Sequence, residues 1–572
     1  MRHRRPRRIR LAASLTVCAL ALGSCSSLPR NSEPSALRPF EPIQNAQEQL
    51  GPTPDQEPDL LLREFYAASA RPAQAFQVAR SYLASGVAER WQPEKEMLVV
   101  DRVDINTQAG ASNEERTFDV RGSVIARLDT GGAYRPENGN YEASVTMRRQ
   151  EDGQWRITGL PNGVVFERSE LRSNFQPKKL FFFDPSGEVL VGDRRWVYEG
   201  ERALDSALIN LLMQGPTDRL APGVRFGLPP EATFLGNEDG VYKFSGLASM
   251  SPEQRIDFSA QLVWTLAEAD IPGPYRFEAD GTPLAEGYTS LSTDDFAALN
   301  PELGTSSVSP LYALADGRLL KVSASGAQRV EGELGQFGDV SAADISDELA
   351  AVVRRQADHQ ELWTGSSELP WSAQLRGKTL TRPSVENQAS AVWSVVDGRK
   401  VVRLLRAASG SGATVTDVAA DFLQPIDRDI SVLRLSQTGV HVAMIIDGRV
   451  YIGVVAVATN GQRSIVGVHE IAAQLGGTAV ALDWQADGSL LVGTSAPASP
   501  LWRVEQDGSQ LSELPSGNVT APVVAVASGS TTMYLTDAIA IRHLPASATG
   551  ESAFWWEVPG LQGVRSVPII AH

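Results

Sequence analysis

The chain has 572 residues, 42% of them hydrophobic, enough to bury more than one core. Its formal net charge of −16 argues against nucleic acid as a partner and against adhesion to anionic lipid through a basic patch. The two cysteines, Cys18 and Cys25, both lie near the N-terminus, so the long remainder holds no disulfide framework and no cysteine-ligated metal cluster.

In chain order, Arg2, Arg4, Arg5, Arg7, Arg8 and Arg10 form a basic n-region free of acidic residues, followed by the apolar run Leu11–Leu22. That run is shorter than the roughly 20 apolar residues needed to span a bilayer, and it suits a signal-peptide h-region. Leu22-Gly23-Ser24-Cys25 resembles the bacterial lipobox, with Leu at −3, small residues at −2 and −1, and then Cys. The expectation is a signal peptide over 1–24, cleavage between Ser24 and Cys25, and a diacylglyceryl thioether on the Cys25 sulfur. Lipid, rather than a basic surface, then holds the chain to the extracytoplasmic face of the cell membrane.

Residues 25–58 are rich in Pro, Ser, Gln and Glu and read as a tether. From 59 to 175 the spacing predicts a small α+β domain of cone-like form. Leu60, Leu61, Phe65 and Ala68, then Ala75, Val78, Ala79, Tyr82 and Leu83, recur at helical spacing. Strand-like runs follow at Met97–Val103, Thr117–Leu128, Tyr141–Arg149 and Trp155–Leu160, with a turn at Glu151-Asp152-Gly153. A second α+β unit is expected over 176–305. It has strands at Leu180–Phe183, Val189–Val191 and Trp196–Tyr198, helices over Ala203–Met213 and Pro252–Ala269, and a strand pair around Asp239-Gly240.

From 306 to 572 helical periodicity fades. Short alternating strands are punctuated by Asp-Gly turns at 316–317, 397–398, 447–448, 487–488 and 507–508. Openings at Val340–Ser346, Thr381–Val385, Ser431–Ser436 and Val480–Trp484 each lead through a turn to a second apolar strand. The spacing of about 40–50 residues matches a four-stranded propeller blade. A β-propeller of about six blades is expected, with Val564–Ile570 completing the blade begun near Tyr312; a β-sandwich with fortuitous repeats is the competing fold.

No catalytic spacing emerges. His359, His441, His469, His543 and His572 fall at no metal-ligand spacing, and His359 and His469 read as exposed. Ser409-Gly410-Ser411-Gly412 lacks the strand-to-helix setting of a nucleophile elbow and reads as a loop. Asp294-Asp295, Asp339/Asp344/Asp347 and Asp427/Asp429 lack the order of a calcium loop and read as solvated charge. No metal, cofactor or catalytic residue is therefore expected. Trp363, Trp371, Trp393, Trp484 and Trp502 read as blade packing, while Trp555 and Trp556 are the candidate partner interface.

Leu211-Leu212-Met213-Gln214-Gly215-Pro216-Thr217, then Gly223-Val224 and Leu228-Pro229-Pro230-Glu231-Ala232-Thr233, is similar to the GerMN module, with Ala232 where that pattern has Gly. Gly159-Leu160-Pro161-Asn162-Gly163-Val164 looks like a boundary preceding it. With the lipobox, the tether and the C-terminal repeats, the whole order resembles the actinobacterial lipoprotein LpqB family. The resemblance implies an accessory role beside a two-component system of the MtrA–MtrB type, through the extracytoplasmic domain of the sensor histidine kinase MtrB, with effects on envelope homeostasis and cell division. A cell-wall glycan-binding protein or a propeller-type hydrolase is the alternative.

Overall fold

The computed structural model describes residues 51–200, 203–301, 309–386, 390–407, 412–424, 428–548 and 553–572. The signal peptide, Ser24 and Cys25 lie outside the described residues, as do Ser409, Gly410, Ser411 and Asp427.

The first part opens with helices Pro58–Ala68 and Ala73–Arg80, whose Leu61, Leu62, Phe65 and Phe76 are buried against a curved sheet. Its centre is a long hairpin, Glu115–Asp129 paired with Ala133–Arg149. Phe118, Val120, Val124, Ala126 and Leu128 point inward; opposite Val124 and Ala126 a bulge adds one residue to Ala133–Arg149, and the inward positions of that strand pass from Met147 and Val145 to Tyr134. Pairing extends beyond the expected Tyr141–Arg149 to Ala133. Its tip, Thr130-Gly131-Gly132, projects toward the next part of the chain.

That next part is entered through a second hairpin, Phe175–Phe183 with Leu190–Tyr198. The hairpin serves two cores at once: Phe175 and Trp196 belong to the first, while Leu180–Phe183, Leu190 and Val191 belong to the second. Helices Leu204–Gln214 and Pro252–Glu268 pack on this second core beside a sheet formed by Thr233–Glu238, Val241–Ser245, Arg276–Ala279 and Thr282–Pro283. The longer helix starts sharply because Ser251 caps the backbone N–H of Gln254, whose side chain returns the bond, and Pro252 sits at the first helical position. The turn between Thr233–Glu238 and Val241–Ser245 is Asp239-Gly240, both with positive φ, as a two-residue hairpin requires.

The remainder is a propeller-like region of six four-stranded antiparallel sheets among the described residues. Sheets two to five begin with the strands Val340–Ile345, Ser384–Val385, Ile430–Leu435 and Ala479–Trp484; sheet six begins with Ala525–Ser528. In each, the chain then meanders outward. The first sheet is assembled differently: Leu311–Ala315, Arg318–Ser323 and Gly326–Arg329 are joined by Val567–Ile570 from the far end of the repeat. Leu311 pairs with Ile570 and Leu314 with Val567. The starting strand of each sheet neighbours that of the next, and Val567–Ile570 lies beside both the second and the sixth.

Candidate functional site

Two regions hold groups whose placement exceeds what packing requires. The first is the meeting point of all three parts. Arg194 and Trp196, on the second hairpin, reach the Gln506-Asp507-Gly508 turn of the fifth sheet. Asp507 Oδ2 accepts from Arg194 Nε and from the Trp196 indole N–H, both at 3.1 Å, while Oδ1 accepts from the backbone N–H and hydroxyl of Ser509. Glu505 adds a second carboxylate to Arg194 at 3.2 Å. On the neighbouring residue, Arg195 pairs with Asp193 at 2.8 Å and donates to the carbonyls of Gly131 and Gly215, so the hairpin tip of the first part is bound to the second. Asp193 in turn accepts from the backbone N–H and hydroxyl of Thr217, which fixes the Gly215-Pro216-Thr217 loop.

Apolar contact reinforces these bonds. Val440 and Val454 of the fourth sheet belong to the second core, and a Cβ on Gly223 would collide with both of their side chains. Gly508 has φ +73°, and a Cβ there would lie 2.8 Å from Pro136 and 2.9 Å from the Ile471 carbonyl. Glycine is needed at both positions for close approach.

Between these contacts lies a cavity of about 580 Å³. It is walled by Asp129 and Arg135 of the first part, Asp193 and Arg219 of the second, and His441 and His469 of the fourth sheet. His469, expected to be exposed, instead faces this cavity. Burial, reinforced by Arg219, pushes its pKa down to about 4; burial and then His469 bring His441 to about 4 as well. The Nδ1 of His469 lies 2.8 Å from the Gly467 carbonyl, which assigns the proton to that nitrogen.

The second region is the axis on which the starting strands converge. Asp344, expected as solvated loop charge, is fully buried on Val340–Ile345. It accepts from Arg434 at 3.1 Å, from Arg382 at 3.4 Å and from the Val385 backbone N–H at 2.9 Å; His572 lies at 3.9 Å. Arg434 also donates to Asp483 at 3.2 Å and to the Pro383 carbonyl at 2.8 Å. Burial alone would raise the Asp344 pKa, but Arg434, His572 and Arg382 hold it below the ordinary carboxylate value. The other acidic features are local: Asp295 caps Ser292 at a 3-10 turn, Asp339 pairs with Arg354, and Asp429 pairs with Arg399. His359 bridges Asp358 and Glu361 and is partly covered. No group of three or more His, Cys, Asp or Glu side chains suited to a metal occurs among the described residues.

The candidate partner residues separate. Trp555 is fully buried in the core of the sixth sheet, its indole N–H donating to the Pro515 carbonyl at 2.7 Å and its backbone bonded to Asn518. It has no surface to offer a partner. Trp556 is 61% exposed and packs edge-on against Phe554, itself 52% exposed, so of the two candidates only Trp556, with Phe554 beside it, offers aromatic surface. Trp555→Ala is expected to cost roughly 3–5 kcal/mol, as large-to-small core changes do, whereas Trp556→Ala is expected to stay within about 0.5 kcal/mol of the parent. Chemical denaturation of the two variants measures the contrast.

Residues 51–172 match the family model described as the lipoprotein LpqB N-terminal domain, 179–285 that described as sporulation and spore germination, and 317–571 that of the lipoprotein LpqB beta-propeller domain. Lipoprotein LpqB of Corynebacterium diphtheriae is 40% identical, covering 97% of this chain and 97% of its own length. The Rhodococcus opacus protein of the same name is 34% identical over 98% and 97%, and that of Mycobacterium tuberculosis 30% identical over 99% of each. Among solved structures, one from a nidogen/laminin complex is similar over 46% of this chain and 99% of its own, at TM-score 0.34 and 10% identity. With near-complete mutual coverage by its relatives, the chain belongs to the LpqB lipoprotein family, whose members are held by lipid on the extracytoplasmic face of a membrane.

Proposed function

We propose that the protein is a regulatory subunit of a two-component sensor, anchored through lipid on Cys25 and contacting the extracytoplasmic domain of a histidine kinase of the MtrB type. In this reading the six sheets close as a six-bladed propeller, and the exposed Phe554–Trp556 pair on the sixth blade is the docking surface. That pair is the observation carrying the proposal: two large aromatic side chains stand in solvent beside a fully packed core, as at interface hot spots. Binding alters signalling only if one state of the kinase is bound more tightly than the other. Anchoring both partners in one membrane raises their effective concentration, so a weak contact suffices.

The hydrolase alternative needs two carboxylates free to act across a sugar. The axial carboxylates Asp344 and Asp483 are instead both engaged by Arg434, which argues against that use. Binding to cell-wall glycan remains the competing role for the aromatic pair.

The test is titration of residues 26–572 with the purified sensor domain. Saturable binding tighter than about 1 mM, the effective concentration of co-anchored partners, is expected. The double variant Phe554→Ala/Trp556→Ala is expected to weaken it by roughly tenfold or more. Absence of binding at that concentration removes the direct contact and shifts the role of the pair toward glycan. The whole mature chain is used because the hairpin 175–198 contributes to two cores, so a cut near 175 would damage both.

A further inference from the structure

We infer that the cavity where the three parts of the molecule meet is a binding site for a small organic oxyanion, a carboxylate or a phosphate ester, with the Arg219 guanidinium as its charge partner. The inference is independent of the kinase contact, since it concerns a different face and a different kind of ligand.

Three of the four arginines lining the cavity are already paired. Arg194 is committed to Asp507 and Glu505, Arg195 to Asp193, and Arg135 to Asp129 at 3.4 Å. Arg219 is different. It is half-buried beside these pairs, yet among the described residues its guanidinium makes no hydrogen bond and no ion pair. Asp129 acts on it only at longer range, while burial and then Arg135 hold its pKa below the ordinary arginine value. A guanidinium presents five N–H donors in one plane, and partial covering of Arg219 leaves them facing the cavity with no protein acceptor among the described residues. An oxyanion in the cavity would supply the missing acceptors in the bidentate geometry to which arginine is suited.

The remaining walls define the rest of the ligand. With Nδ1 turned to the Gly467 carbonyl, His469 Nε2 has no hydrogen-bond partner among the described residues, and neither has the His441 ring, which packs against Trp484. Both imidazoles are neutral at pH 7, so they add polar atoms to the wall but no second positive charge. Among the described lining residues Arg219 is the one uncommitted cation, while the neighbouring Asp218 is exposed to solvent, so the buried side of the cavity matches a ligand with one localised negative charge and a polar body. Ile452 and Val454 supply apolar surface for its carbon skeleton. The volume, about 580 Å³, lies in the range of small-molecule sites. Arg219 follows the Gly215-Pro216-Thr217 loop, His469 is on the fourth sheet and Asp129 ends a strand of the first part, so an occupant would touch every part of the molecule.

Isothermal titration of the mature chain with three probes tests this: glycerol phosphate, N-acetylalanine and glycerol. Saturable one-to-one binding of at least one anion, with a dissociation constant in roughly the millimolar range or tighter, and none of glycerol, is expected. The probe that binds more tightly distinguishes a phosphate ester from a carboxylate. Arg219→Gln, half-exposed and without a structural bond to lose, is expected to weaken binding at least about tenfold, and Arg219→Lys to retain part of it. Near-UV circular dichroism matching the parent verifies that both variants are folded. Absence of saturation by either anion at about 10 mM, equal affinity in Arg219→Gln, or equal binding of glycerol would overturn the assignment. None of these readouts involves the kinase, so failure here leaves the regulatory reading standing, and the reverse holds too.

Discussion

Asp344→Ala is expected to destabilise the six-sheet region by roughly 3–5 kcal/mol, because it removes one partner of a buried ion-pair network and leaves the other charges in place. The carboxylate, on the second sheet, is fully buried, and two guanidinium groups and a backbone N–H converge on it from the third and fourth sheets. Alanine would leave Arg382 without its ion-pair partner and Arg434 with Asp483 alone. A domain of this size shifts by roughly 2–4 °C per kcal/mol, so the melting temperature should fall by about 10 °C. Asp344→Asn keeps an acceptor for the Val385 N–H and should lose less. The network also predicts the acid limb of the stability curve. The folded-state pKa of Asp344 is depressed, so its contribution is complete above the ordinary aspartate value of 3.8 and is lost as pH falls from there through the folded-state value. Asp344→Ala should therefore flatten the dependence of stability on pH in that window. A variant as stable as the parent at pH 7 would show that the axial charges are screened by water and that the network is dispensable.

Asp507→Ala is expected to separate the propeller-like region from the rest of the molecule without unfolding either. The side chain is 9% exposed and receives both the Arg194 guanidinium and the Trp196 indole. Its loss leaves the indole N–H without an acceptor and Arg194 with only Glu505, at a cost of roughly 2–4 kcal/mol in docking. The fifth sheet itself loses only the bonds to Ser509. Calorimetry should show the parent's unfolding resolving into two transitions, and tryptophan emission should report greater solvent access at Trp196. An unchanged single transition would mean that Val440, Val454 and Gly223 hold the junction without the charges.

The legible parts of the fold were those written in short stretches of sequence. Asp-Gly at 316–317, 397–398 and 447–448 marks hairpins because both residues of each pair take positive φ, a conformation that side-chain type reports directly. The starting strands of the second, fourth and fifth sheets, read at Val340, Ser431 and Val480, begin at Val340, Ile430 and Ala479, because apolar residues flank the charged positions Asp344, Arg434 and Asp483 on each of them. The helix Arg168–Asn174 has only seven residues and one buried apolar side chain, too little for periodicity to show. In Ala133–Arg149, Pro136 and Asn138-Gly139-Asn140 look like a loop, yet the bulge at Val124 lets pairing continue through them.

The site was hardly legible at all. Asp344 and Asp483 lie in sequence between apolar residues and turns, and nothing local distinguishes a paired axial carboxylate from one in water. Arg194 and Asp507 are separated by 313 positions, and only the folded chain brings them together. Trp555 and Trp556 are adjacent, and strand alternation sends one inward and the other outward. Composition announces the aromatic pair; only the register says which member a partner can touch.

The pairing of Leu311–Ala315 with Val567–Ile570 also has a consequence for biogenesis. A chain exported from its N-terminus can complete the first two cores while most of the repeat is still arriving, but the first sheet must wait for the final strand. The rate of closure is thus governed by contacts of very high sequence separation, and loop-closure entropy is surrendered late. Until then Leu311–Ala315 remains an unpaired edge, open to extracytoplasmic proteases and to other chains. A molecule clipped just short of Val567 stays in that vulnerable state permanently, so completion of the first sheet doubles as a check that its final strand has arrived.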